Sequence, residues 1–171
     1  PQAMIAPTLI LAWGNPSRGD DALGPLFAEA VQAWHLPGVE CLTDFQLQVE
    51  HALDLQGRAR VLFVDAAHTP ADHPGGYCVT ALHPRRDASF TSHALSPPAV
   101  LQAYADTLGT PPPAWLLRLH GQRWGLGDDL SPPARTALAQ ALDWARHWLT
   151  PPAHETTAPL QGATPEPAPG R

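Results

Sequence analysis

The chain has 171 residues and a formal net charge of -6, and its basic residues are all arginine, with no lysine. That length suffices for one domain with a substantial core, and without a basic stripe interleaved with aromatics, nucleic acid is a poor partner. No apolar run approaches the roughly 20 residues that a bilayer-spanning helix needs, the opening stretch lacks the basic region of a signal peptide, and the expectation is a cytoplasmic monomer.

The first element is a short apolar strand, Leu9 to Trp13, broken at Gly14-Asn15-Pro16. An eight-residue loop to Asp21 follows, and Leu23, Leu26, Phe27, Ala30, Val31 and Trp34 then recur at the spacing of one helix face. Asp20 and Asp21 stand at the loop–helix junction. Either could cap the helix, where a carboxylate suits the positive end of the dipole, but one acid meets that need and two ask for more.

Gly38 to Leu42 reads as a second strand, Asp44-Phe45-Gln46-Leu47 as a connection and Val49 to Leu55 as a short helix. Arg60 to Asp65 is a third strand, whose continuous apolar run from Val61 to Val64 suits a strand covered on both faces. His68 to Gly76 is a loop, Tyr77 to Leu82 a fourth strand and Pro84 to His93 a polar loop. Because a loop rather than a helix precedes it, the fourth strand could run antiparallel at an edge. Ser96-Pro97-Pro98 starts a helix to about Leu108, Trp115 to His120 is a fifth strand, Gly121 to Asp129 a Gly-rich loop, and Ser131-Pro132-Pro133 caps a last helix ending near Leu149. The composition changes at Thr150: residues 151–171 hold six prolines and almost no large apolar residues, which predicts a domain over 1–150 and a Pro-rich disordered tail. Alternating strands and helices predict an α/β fold, a three-layer sandwich with a mostly parallel five-stranded sheet and helices on both faces.

Sites in parallel sheets form outside the C-terminal strand ends. That rule gathers Asp21 after the first strand, Asp65 at the end of the third and His93 after the fourth. Two carboxylates and an imidazole suit a borderline divalent metal such as nickel or zinc, with positions left open for water or substrate. Each also has a plainer explanation: Asp65 could accept N–H groups of the next turn, and His93 could be an ordinary surface histidine. Glu50 and His51 read as residues of a short helix, and His68, Asp72 and His73 as a solvated loop cluster. No G-x-S-x-G, H-E-x-x-H, G-x-G-x-x-G or Walker motif is present. Cys41 and Cys78, without C-x-x-C spacing, indicate neither a disulfide framework nor a structural zinc site, and both read as small core residues.

The stretch Gly14-Asn15-Pro16-Ser17-Arg18-Gly19-Asp20-Asp21-Ala22-Leu23-Gly24-Pro25 resembles the signature of the hydrogenase maturation endopeptidases, which clip the C-terminus of the large subunit of nickel–iron hydrogenases. Asp44-Phe45-Gln46-Leu47 with Glu50, Val61 to Ala66, and Ser92-His93-Ala94-Leu95-Ser96-Pro97 look like further segments of that family in the same order. Their wording is closest to the branch serving soluble, NAD-reducing hydrogenases. The resemblance spans about residues 8–149. It implies a twisted sheet with helices on both faces and Asp21, Asp65 and His93 as metal ligands; for the catalytic step, either the metal polarises the scissile carbonyl or a bound water, or Asp21 or Asp65 acts as general base for the attacking water. It also implies a hydrogenase large-subunit precursor as partner, cut only once nickel is in place, the nickel being supplied by that precursor. Two other classes stay open on the residues: a different metal-assisted hydrolase on the same fold, and a non-catalytic metallochaperone that shields nickel.

Overall fold

The computed structural model describes residues 3–70, 76–92 and 94–150. The tail over 151–171, and with it the proposed domain boundary, lies outside the described residues, as do Asp72, His73 and His93. Five strands, β1 (Thr8–Trp13), β2 (Val39–Asp44), β3 (Arg60–His68), β4 (Tyr77–Leu82) and β5 (Ala114–Gly121), form one sheet in the order β2-β1-β3-β5-β4. All neighbours pair parallel except β4, which runs antiparallel to β5 at the edge, as its short connection predicts.

Among the described residues, four helices cover the sheet: α1 (Leu23–Gln32), the single-turn α2 (His51–Asp54), α3 (Pro97–Thr107) and α4 (Pro132–Leu149). Alternate residues of each central strand point to opposite faces. Ile10, Ala12, Leu62, Val64, Leu117 and Leu119 pack with α1 and α4, while Leu9, Leu11, Val61, Phe63 and Leu116 pack with α2 and α3. This accounts for the unbroken apolar run in β3, which is buried on both sides, and makes the three layers. On one face Phe27 of α1 is fully buried, worth about 2–3 kcal/mol relative to exposure. On the same face α4 turns Ala134, Ala137, Ala141 and Ala145 to the core. These small residues let the helix lie close to the strands, and Trp148 packs edge-on against Trp115 of β5.

The serine caps are as read: the Ser96 hydroxyl accepts the Ala99 N–H at 3.2 Å and the Ser131 hydroxyl accepts the Ala134 N–H at 3.3 Å. Three readings need correction. The helix expected over 49–55 is regular only over His51–Asp54, with hydrogen-bonded turns on either side. Neither Asp20 nor Asp21 caps α1: a 3₁₀ turn, Gly19–Ala22, leads into it and Ala22 holds the cap position with no side-chain bond. Asp65 does not end its strand, because β3 stays paired with β5 as far as His68 opposite Gly121. The pairing with β1 does stop, at Ala12 opposite Val64. Asp65 therefore stands where β1 leaves the sheet.

Candidate active site

The order β2-β1-β3-β5-β4 reverses direction between β1 and β3, since β1 connects through α1 to one side and β3 onward to the other. Such a switch point opens a crevice at the C-terminal strand ends. Asp21 stands on the β1–α1 connection and Asp65 on β3, on either side of that switch point.

The β1–α1 loop is built around a close approach. Gly14 has φ +144°, and a Cβ there would lie 2.0 Å from the Asp21 carbonyl oxygen, so no other residue fits. The Asn15 N–H donates to Asp21 Oδ2 at 2.8 Å, and the Asn15 side-chain oxygen accepts the Ser17 N–H at 2.9 Å. The loop thus folds back on itself and holds the Asp21 carboxylate over its own start.

Asp65 is pushed up from its ordinary value of 3.8 to about 7. Burial is the main cause and the nearby Asp21 charge the second; the Ala66 N–H and Arg118, opposite on β5, only partly offset them. The Asp21 charge acts on Asp65, so the two carboxylates lie within electrostatic reach of each other. The plainer explanation for Asp65, hydrogen bonding to the next turn, holds in part through Ala66, but that bond lowers the value and does not dominate.

His93 lies outside the described residues, so its convergence with the two acids stays an expectation. Its neighbours are held firmly. Leu95 N–H donates to Leu47 O at 3.0 Å, and Gly14 N–H donates to Asp44 O at 3.1 Å. Leu95 and the β1–α1 loop are therefore both tied to the 44–47 segment. Among the described residues no group of three or more His, Cys, Asp or Glu is placed to hold a metal ion. The two acids nonetheless suit a shared cation, because a divalent ion there would take the place of the proton that burial of Asp65 and the Asp21 charge retain.

Two features escape sequence reading. His51, read as an ordinary helix residue, is buried; its Nδ1 accepts the Gln48 N–H at 2.8 Å and its Nε2 lies 3.3 Å from Asp44 Oδ2. The bond at Nδ1 leaves the proton on Nε2, facing Asp44. Asp44, at the end of β2, is thereby fixed beside the crevice. The second feature is Asp20, which is completely buried and bonded to the loop after β5. Elsewhere, His68 stands at the end of β3 with its ring 4.6 Å from that of Trp124. Cys41 and Cys78 are half-buried free thiols, and burial, then Glu40, pushes Cys41 to about 11, far from a nucleophilic thiolate.

No model of a known protein family matches the chain, and no curated protein sequence matches it. Solved structures do. The hydrogenase maturating endopeptidase HybD from E. coli superposes with a TM-score of 0.65 at 21% identity, over 83% of this chain and 91% of its own. The [NiFe] hydrogenase maturation protease HycI from Thermococcus kodakarensis gives 0.63 at 22% identity, over 84% and 92%. A hydrogenase 2 maturation peptidase from Thaumarchaeota archaeon SCGC_AB-539-E09 gives 0.61 at 21% identity, over 83% and 97%. This chain thus has the fold of the hydrogenase maturation proteases over nearly their full length. No helix among the described residues is long and apolar enough to cross a membrane.

Proposed function

We propose that this protein is a hydrogenase maturation endopeptidase, which removes a C-terminal peptide from the nickel-loaded large-subunit precursor of a nickel–iron hydrogenase. The observation that carries the reading is the pairing of Asp21 with an Asp65 raised to about 7 at the switch-point crevice. The four ordered sequence segments and the shared fold supply the chemistry to which that pair is put.

Asp65 has the proton affinity of a general base working near neutral pH. In the proposed reaction it takes a proton from the attacking water as the water oxygen bonds to the scissile carbonyl carbon. It then returns that proton to the leaving amine as the peptide C–N bond breaks. Asp21 and His93 engage the nickel that the precursor brings as part of the substrate. An empty precursor lacks this contact, so binding energy separates loaded from unloaded substrate.

Incubation with nickel-loaded precursor tests the reading. Loss of mass from the precursor's C-terminus is the expected result. Tight binding with no mass loss would identify a metallochaperone instead.

A further inference from the structure

The proposed reaction leaves Asp20 unused, yet it is the most heavily bonded carboxylate among the described residues. Its Oδ2 accepts the Gln122 N–H at 2.7 Å, the Arg123 N–H at 3.0 Å and the Ser131 hydroxyl at 2.6 Å. Its Oδ1 accepts the Ser131 N–H at 2.8 Å, and its own N–H donates to Arg123 O at 2.7 Å. Every one of these partners lies in the segment joining β5 to α4. A buried carboxylate is tolerated only when its acceptors are filled, and here one loop fills them without a cation. Burial alone would raise the Asp20 carboxyl, but the bonds from Gln122, Ser131 and Arg123 outweigh it and hold it below its ordinary value.

We propose that Asp20 is a positioning residue: it latches the β5–α4 loop onto the β1–α1 loop and thereby fixes where Asp21 stands relative to Asp65. Three further observations place the latch. A Cβ on Gly121 would lie 2.6 Å from the Asp20 Cβ, so the end of β5 is pared down to admit the side chain. Gly127 N–H donates to Ser17 O at 2.7 Å, a second tie between the same two loops. Asp21, next in sequence, is held from its other side by Asn15 N–H. Its carboxylate is therefore pinned between the turn at Gly14 and the anchor at Asp20. The latch also makes the β5–α4 loop, with exposed Gln122, Arg123 and Leu126, one wall beside the β1–α1 loop. Capping of its own helix, α1, does not explain Asp20, since its partners lie 102–111 residues away and include Ser131, the N-cap of α4.

The proposal rests on the protease reading only for its turnover readout, so the test has two arms. In Asp20→Asn the amide NH₂ faces donors, and the amides of residues 14–21 and 121–123 should exchange hydrogen about tenfold faster or more, one lost bond being worth that factor. Amides of β1 and β3 should not change. Cleavage of nickel-loaded precursor should fall well below that of Ala141→Gly, a core helix variant in α4 remote from the latch, compared at equal distance below the melting temperature. Ser131→Ala should move both readouts in the same direction, and Ser131→Thr, which keeps the hydroxyl, should restore them. If Asp20→Asn does not fold, the Ser131 pair decides alone. Unchanged exchange in 14–21, turnover matching Ala141→Gly, or failure of Ser131→Thr to restore what Ser131→Ala loses would each overturn the latch. Absence of cleavage by the wild-type protein would instead overturn the protease reading and leave the exchange arm to decide the latch.

Discussion

Asp65→Asn should make the protein more stable, and more so as pH rises. Folding moves the Asp65 carboxyl from 3.8 to about 7, by burial first and by Asp21 second. Between those values the folded protein holds a proton that the unfolded chain has released, so stability is fully present below about pH 4 and lost as pH rises through 7. A rise of about three pH units at ~1.4 kcal/mol each sets a ceiling of about 4 kcal/mol. Asp65 is only partly enclosed, and solvent at the crevice brings the expected gain to about 1–3 kcal/mol. Asparagine keeps the acceptor for the Ala66 N–H and carries no charge against Asp21, so little is lost in exchange. Urea unfolding of wild type and variant near pH 4 and at pH 8 measures the gap through the midpoint at constant slope. Stability should be near-equal at the acid end, and the variant should be the more stable at pH 8. A gap that does not change with pH, or a variant less stable at pH 8 than the wild type, would refute the electrostatic coupling of the two carboxylates. A site that strains the fold in this way is expected where function opposes stability.

Three other outcomes follow from the same geometry. Asp21→Asn removes the second cause of the Asp65 rise, so NMR titration of the Asp65 carboxyl should show a lower midpoint, while processing of the precursor is lost. Gly14→Ala drives a Cβ into the Asp21 carbonyl and should cost about 2–4 kcal/mol in chemical denaturation, a strained-backbone effect; a loss below a few tenths would mean the loop is softer than described. Deleting residues 151–171, which hold six prolines and almost no large apolar residues, should shift the melting temperature by no more than a few degrees and leave processing intact.

The periodicity of the sequence carries the layers, because burial on one or both faces leaves its mark on every strand. The run from Val61 to Val64 reads as a doubly covered strand and is one, and the Pro- and Gly-bearing sequence before Tyr77, read as a loop, points to the antiparallel edge. Boundaries fare less well where pairing on one side outlasts pairing on the other. β3 continues to His68 on β5 while β1 has already turned away, so a site residue expected at a strand end sits inside the strand. The acid pair shows the limit most clearly. Asp20 and Asp21 are adjacent and chemically identical, and a capping role for either is reasonable from local rules. The donors that distinguish them belong to Gln122, Arg123 and Ser131, at the other end of the chain. The buried Asp44–His51 pair is hidden for a related reason: only the turn through Gln48 brings its members together.

Mass measurement of the large-subunit precursor, prepared with and without nickel and incubated with this protein, bears most directly on the central reading. Wild type should remove a C-terminal peptide from the nickel-loaded form alone, and His93→Ala should weaken both binding and cleavage of that form, because the imidazole is assigned a bond to the substrate's nickel. Efficient cleavage of the nickel-free precursor would contradict the gating, and no cleavage of either form would contradict the protease reading itself.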